Sequence, residues 1–201
     1  MLNLQDEYRK RIPLYKALSN NIEKSFIEIL EGKAKIDRIS FRIKEPASFE
    51  RKAYEPPSYS DPITEIEDQV GGRVIVVYKS DVKIISDLIT RNFNAVESTN
   101  KRPAKDAEFG YESTHLILSI PPHLKPRGWS DLGDVPVTFE AQIRTIFMHA
   151  WAEPSHGLDY KSASELPRDL LRELSWIAAS AWGADQALDR IRRGLKSDRK
   201  P

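Results

Sequence analysis

The stretch 135–144, VPVTFEAQIR, most limits what this chain can fold into. Val135, Val137, Phe139, Ala141 and Ile143 alternate with Thr138, Glu140, Gln142 and Arg144, the period of a strand with one buried face. Its other face carries an acid, an amide and a cation in a row. Such a strand needs neighbours in a sheet, an apolar layer behind it and open space in front. A second segment has the same character: Ile39, Phe41 and Ile43 alternate with Arg38, Ser40, Arg42 and Lys44, which sets cations on one face. RVIVVY (73–78), behind Gly71-Gly72, reads as a buried strand, and HLILSI (115–120) as another.

Helices fill the intervals. Leu4, Tyr8, Ile12, Tyr15, Leu18, Ile22, Phe26 and Ile29 keep a helical period, with Pro13 expected to kink the segment or mark its start. Ser80 or Asp81 caps a helix reaching Phe93, with Val82, Ile85, Leu88 and Ile89 on its apolar side. A helix from Thr145 is expected to break near Pro154. Ser164 caps and Pro167 opens a last helix whose apolar positions (Leu170, Leu174, Ile177, Ala181, Ala184, Leu188, Ile191, Leu195) step by four and three. The segments 55–62, 97–110 and 121–134 read as loops or turns. This order predicts an α/β domain with α+β-like segregation: a mixed sheet with one functional face, flanked by helices. One domain over 1–201 is expected, with an N-terminal helical region at 1–31, a catalytic core at 38–161 and a C-terminal helix at 165–196.

Composition removes several function classes. Lys+Arg total 31 against 30 Asp+Glu, so a polyanion must be met by a local cluster rather than by net charge. With no cysteine there is no disulfide, thiolate zinc site or cysteine nucleophile. The first residues lack the apolar core of a signal peptide, and no apolar run approaches the ~18 residues of a span. The expectation is a soluble cytoplasmic protein with no membrane partner. There is no P-loop, G-x-G-x-x-G, H-E-x-x-H or G-x-S-x-G pattern. None of His115, His123, His149 or His156 is followed by Asp, so a His-Asp metal hydrolase centre has no support.

Three polar groups remain. Arg42, Lys44, Ser48, Arg51 and Lys52 run from a strand into the first turns of a helix, and cations so spaced could hold a triphosphate; a solvated basic face would look the same. Asp68 and Glu140 come from separate strand regions and offer the one or two carboxylates that Mg²⁺ takes from a protein; two unrelated surface acids would also fit. Gly110-Tyr111-Glu112-Ser113-Thr114-His115 places a ring that could stack on a base and a histidine just before a strand.

These residues together resemble the synthetase domain of RelA/SpoT homologues, in particular the small alarmone synthetases, over about residues 38–161. RISFRIKEPASFERK resembles the family's R-x-K-x-x-x-S-x-x-x-K segment, EDQVGGRVIVV its D-x-x-G-x-R-[V/I] strand and FGYESTHLIL its G-Y-x-S-x-H loop. FEAQIRT resembles the E-x-Q-[I/L]-R-T strand, and AWAEPSHGLDYK the W-A-x-x-E-H-x-L-x-Y-K segment. The resemblance implies a mixed five-stranded sheet of nucleotidyltransferase type and transfer of pyrophosphate from ATP to the 3′-hydroxyl of GDP or GTP. It implies that Arg42 and Arg73 sandwich the donor adenine, that Lys44, Ser48 and Lys52 hold the phosphates, and that Asp68 and Glu140, the catalytic pair, bind Mg²⁺. Tyr111 would stack on the acceptor base, with His115 and Gln142 nearby, and Arg144, His149, His156 and Lys161 would complete that wall.

The chain departs from the pattern on the acceptor side. Glu112 stands where small synthetases commonly have Arg, His149 replaces an Asn, Ser155 replaces the Glu of the E-H pair, and the Lys upstream of Gly110 is missing. This keeps an alternative open: the toxic relatives that modify the 3′-CCA end of tRNA or use an adenosine nucleotide, for which a neutralising antitoxin partner is expected. A further alternative is a weakly catalytic nucleotide- or RNA-binding regulator. The last helix suits packing on the protein's own body as well as homo-oligomer formation.

Overall fold

In the computed structural model, which describes residues 4–56, 59–101, 103, 108–110, 112–158 and 167–197 (backbone alone at 155–158 and 196–197), the acid-amide-cation strand stands at the centre of the sheet. This strand, β5 (Thr138–Thr145), lies in the order β1-β2-β5-β4-β3 with β1 (Ile36–Ile43), β2 (Val70–Val76), β3 (Ala95–Lys101) and β4 (Ser113–Ser119). The β2–β5 pair is parallel and the other pairs are antiparallel, so the sheet is mixed, with five strands as the resemblance implied.

One face is covered by α1 (Leu4–Leu30) and α4 (Lys79–Asn92). Tyr15, Leu18, Ile22 and Phe26 of α1 and Ile85 and Ile89 of α4 bury with Val74, Leu116, Leu118, Phe139, Ala141 and Ile143 of the strands. Each such side chain withdrawn from water contributes ~1.5–3 kcal/mol. Phe26 anchors the layer, its ring 4.9 Å from Phe41, 5.0 Å from Phe93 and 6.1 Å from Phe139. Period-2 geometry then turns Arg42, Arg73, His115, Glu140, Gln142 and Arg144 to the opposite face. There α5 (Ile146–Leu158) continues directly from β5 and packs on α6 (Arg168–Ser197), burying Met148, Ala152, Ala178 and Ala181. The remainder of that face is open. No helix among the described residues is long and apolar enough to cross a membrane.

Several sequence expectations are corrected. Residues 97–101, expected in a loop, belong to β3; as an edge strand pairing only with β4 it buries no face, so it shows no apolar alternation. Pro13 neither starts nor interrupts α1, because the buried Tyr8, Arg11, Tyr15 and Leu18 hold the helix on both sides of it. Pro154 likewise lies inside α5. In α4 the helix starts at Lys79, one residue before the expected cap, and Tyr78 at the N-cap supplies no side-chain bond. Ser164 lies outside the described residues.

Candidate active site

Asp68 sits on a short 3-10 turn, Glu67–Gln69, with φ −97 and ψ 24, which leads directly into β2. The buried Gln69 amide holds that turn by donating to the Ile63 and Ile66 carbonyls at 2.7 and 2.8 Å. Lys44 follows β1, and its backbone N–H donates to the Gln69 carbonyl at 2.9 Å. The Tyr8 hydroxyl donates to the Lys44 carbonyl at 2.9 Å while its ring stacks on Phe49 at 4.1 Å. Phe49 and Ala53 bury one side of α2 (Pro46–Tyr54), leaving Ser48 and Lys52, one turn apart, on an adjoining side. Lys44 Nζ thereby reaches Asp68 Oδ2 at 2.6 Å, and Lys52 Nζ reaches Oδ1 at 2.9 Å. Burial pushes the Asp68 carboxyl upward, but the two lysines outweigh it and hold the group below the usual carboxylate range. Burial also pulls the Lys52 ammonium down, and Asp68 more than offsets that.

Glu140 lies in register with Gly71 on one side and Ile117 on the other. One row along, Arg73, Gln142, His115 and Thr99 stand side by side across four strands. His115 Nδ1 is 2.6 Å from Glu140 Oε1, and Gln142 Nε2 donates to Oε2 at 2.9 Å. Arg144 donates in turn to Gln142 Oε1. An ionised carboxylate only accepts, so the His115 proton is on Nδ1. Burial raises Glu140, yet the His115 and Gln142 bonds lower it further, so it too is ionised at neutral pH. Asp68 and Glu140 line a common recess of about 70 Å³ with Lys44, Gly71 and Arg73, and the charge of one is felt by the other. That recess opens into a cleft of about 820 Å³ across the open face.

Arg42 pairs with Gly71 and Ser40 with Arg73, so the two arginines are diagonal neighbours across β1–β2. Such neighbours stand ~7–8 Å apart, about twice the ~3.5–4.0 Å of a van der Waals contact. That spacing is the width a planar ring needs with a contact on each of its faces, and Gly71, paired with Arg42, carries no side chain. The two glycines of β2 therefore answer differently to substitution. A Cβ on Gly72 would stand 2.3 Å from the Phe41 ring, whereas one on Gly71 meets nothing closer than 3.9 Å. Gly72→Ala is expected to destabilise by about 1–3 kcal/mol, read as a lower Tm. Gly71→Val should leave Tm within about 2 °C and weaken nucleotide binding by calorimetry; equal Tm losses in both variants would contradict this.

Glu153 of α5 belongs to none of the polar groups read from the sequence, although it falls one helical turn after His149. It takes an ion pair from Arg73 Nη1, and lies 3.9 Å from Arg144 Nη1 and 3.6 Å from His149 Nδ1. Burial lowers the His149 pKa, Glu153 opposes this, and Arg73 and Arg144 add to the lowering. Glu153 lines the cleft two residues before Ser155, the position where the resemblance leads one to expect a Glu. Glu67 also lines the cleft, its pKa raised by burial and then by Glu97.

The structure brings Arg42, Lys44, Lys52, Asp68, Arg73, His115, Glu140, Gln142 and Arg144 to the open face. Ser48 is half-buried in the first turn of α2 and lines neither recess nor cleft. Tyr111 and Lys161 lie outside the described residues, as does the side chain of His156. Glu112 is not a bare charge: its Oε2 is 2.9 Å from Lys79 Nζ. Among the described residues no three His, Cys, Asp or Glu gather as a metal cage. Mg²⁺ needs none, since it keeps several waters and takes one or two carboxylates; the ionised pair at one recess fits it.

A mixed sheet whose open face joins paired acids, lysines and diagonal arginines defines a nucleotide transferase without a P-loop. The family model described as a region found in RelA / SpoT proteins matches residues 41–165, over half of the sequence, and the chain belongs to that family as a synthetase of pyrophosphokinase type. Among relatives, it is similar to GTP pyrophosphokinase YjbM of Bacillus subtilis, 26% identical over 187 residues, covering 92% of this chain and 85% of that protein. Among solved structures, small alarmone synthetase 1 from Bacillus subtilis has a TM-score of 0.79 at 24% identity, covering 96% of this chain and 99% of that one. The same synthetase bound to its product pppGpp gives 0.75 at 23%, covering 94% and 97%. At these identities the structural likeness speaks for the fold.

Proposed function

We propose that this enzyme moves the β,γ-pyrophosphoryl group of ATP to the 3′-hydroxyl of GDP or GTP, forming guanosine tetra- or pentaphosphate and AMP. The observation that carries this is the recess shared by Asp68 and Glu140, one acid held by two lysines and the other by His115 and Gln142. The guanosine acceptor is supported by a relative named for GTP pyrophosphokinase activity.

Arg42 and Arg73 take the adenine between them. Lys44 and Lys52 release Asp68 and turn to the phosphates with charge-assisted bonds, and Ser48 lies a helical turn before Lys52. Asp68 and Glu140 would hold Mg²⁺, which would supply neutralisation of the phosphate charge. The acceptor 3′-oxygen attacks the β-phosphorus, the bond from that phosphorus to the oxygen of the α-phosphate breaks, and AMP leaves. The hydroxyl proton passes to the Glu140 carboxylate, directly or through one water. His115 and Gln142 hold Glu140 in line, and Arg144 and His149 form the acceptor-side wall. Tyr111, His156 and Lys161 join it on the strength of the resemblance. With ATP and GDP as the sole nucleotides, AMP must form in equal amount with a guanosine product carrying two added phosphates by mass spectrometry. Formation of ADP or inorganic phosphate in its place contradicts the reading.

We also propose that α6 mediates association with a second copy. Leu170, Ile177 and Ile191 are exposed at multiples of seven residues, with Trp176 71% exposed beside them. Sedimentation should show a dimer or larger species that Ile177→Glu with Ile191→Glu converts to monomer. A monomeric wild type contradicts this.

A further inference from the structure

Helix α6 does more than present an apolar stripe. Trp182, Asp185, Asp189 and Arg192 follow one another at three- and four-residue steps, so they share one side of the helix, and all four hold parts of the catalytic body. Asp185 Oδ2 accepts from the Thr145 hydroxyl at 2.6 Å, and Thr145 Oγ1 in turn accepts the Met148 N–H at the start of α5. Asp189 accepts from the Ser80 N–H and hydroxyl, both at 2.9 Å. Arg192 pairs with Asp81 at 2.6 Å and lies 4.2 Å over the Tyr78 ring. The first turn of α4 is therefore fastened to α6 on either side of Lys79.

Lys79 and Trp182 reach onward to the segment that enters β4. Lys79 Nζ is 2.9 Å from Glu112 Oε2 and 5.8 Å from the Trp182 ring centroid. The Trp182 ring meets Phe109 edge-on at 5.7 Å. Phe109 and Glu112 bracket Gly110 and position 111. These contacts are superficial, with Phe109 43% and Trp182 39% exposed. The ion pair also spans a cavity of about 420 Å³ lined in part by Lys79, Glu112 and Asp185, so little packing underlies it. They contribute little to the core, and they join α4 and α6 to the residues that lead into β4 just ahead of His115.

We propose that Trp182 of α6, with the Lys79–Glu112 pair, positions the acceptor-binding segment and sets how tightly the acceptor is held. The negative charge at 112 is neutralised by Lys79 and serves as a tether instead of repelling acceptor phosphates. This rests on the functional reading above, in which the Gly110–His115 stretch takes the acceptor.

The test uses Glu112→Gln, Lys79→Met, Trp182→Ala and the charge-reversed pair Lys79→Glu with Glu112→Lys, each assayed for the two substrates separately. For the acceptor, KM should rise about two- to five-fold in each ion-pair variant and about two- to ten-fold in Trp182→Ala. For ATP, KM should stay within about two-fold, and Tm within about 2 °C. The charge-reversed pair should restore most of the acceptor affinity that either single change loses. Acceptor KM unchanged in all three single variants, both KM values rising together, or reversal that restores nothing would each overturn the proposal. If wild type transfers to a guanosine acceptor and the variants match it, only this inference fails. If wild type transfers to no guanosine acceptor, the functional reading fails and takes the inference with it.

Discussion

Asp68→Ala and Glu140→Ala are each expected to abolish transfer while ATP still binds. Both side chains lie on the open face, outside the apolar core, and together they line the recess where charge must be neutralised. Removing one of the two acids proposed to hold Mg²⁺ should withdraw several kcal/mol of transition-state stabilisation. Asp68→Ala releases Lys44 and Lys52 from their ion pairs, so calorimetry without Mg²⁺ should show ATP binding at least as tightly as in wild type. Glu140→Ala removes the acceptor of the bonds from the nearly buried His115 and the Gln142 amide, and its Tm should fall by a few degrees for each ~1 kcal/mol lost. Activity above about a tenth of wild type in both variants, a barrier change under ~1.4 kcal/mol, would contradict the assignment. Both carboxyls are held below their ordinary range by their partners despite burial. A depressed carboxylate contributes stability above its unfolded pKa and loses it as pH falls through the folded value. The acid limb of activity should therefore appear only below the ~4 of ordinary carboxylates.

The second large effect is expected at the lysines. Lys44→Met and Lys52→Met each remove a hydrogen bond between charged groups, about 1.5–3 kcal/mol. That corresponds to a KM for ATP raised about ten- to hundred-fold, with the acceptor KM little changed. Each substitution also removes one of the two cations that hold Asp68 down, so the acid limb should move to higher pH. If the acceptor KM rose in place of that for ATP, donor and acceptor would occupy opposite sides from those proposed.

The strand at 138–145 was legible because one of its faces meets the core, and alternation then exposes Glu140, Gln142 and Arg144. The same logic revealed Arg42 and Lys44, while Lys52 and Asp68 were grouped by residue type and by resemblance, and Lys44, Lys52 and Asp68 meet at the distances of ion pairs. Segment β3 was not legible: a polar edge strand carries no buried period. Pro154 misled because the packing of α5 on α6 holds that helix against the local penalty of proline, and Pro13 does not mark the start of α1 because burial holds the helix on both sides of it. Glu153 stayed hidden because its role depends on Arg73, 80 residues away in sequence, arriving beside α5. Glu112 read as a departure from the family's common Arg, and its partner Lys79, 33 residues distant, could not be seen in the sequence. Gln69 and Tyr8, which fix the Asp68 turn and the Lys44 backbone, bear no motif of their own.

The destination of the terminal phosphates of ATP decides whether this is a guanosine pyrophosphokinase. The enzyme is incubated with Mg²⁺ and ATP labelled in the γ-phosphate, in parallel with GDP, GTP, a second pool of ATP, and tRNA, and the products are separated by thin-layer chromatography and by gel. Label is expected in guanosine tetraphosphate from GDP and in guanosine pentaphosphate from GTP, with none in tRNA, and Glu140→Ala should remove both products. Label in tRNA or in an adenosine product with none in either guanosine nucleotide would contradict the proposed function.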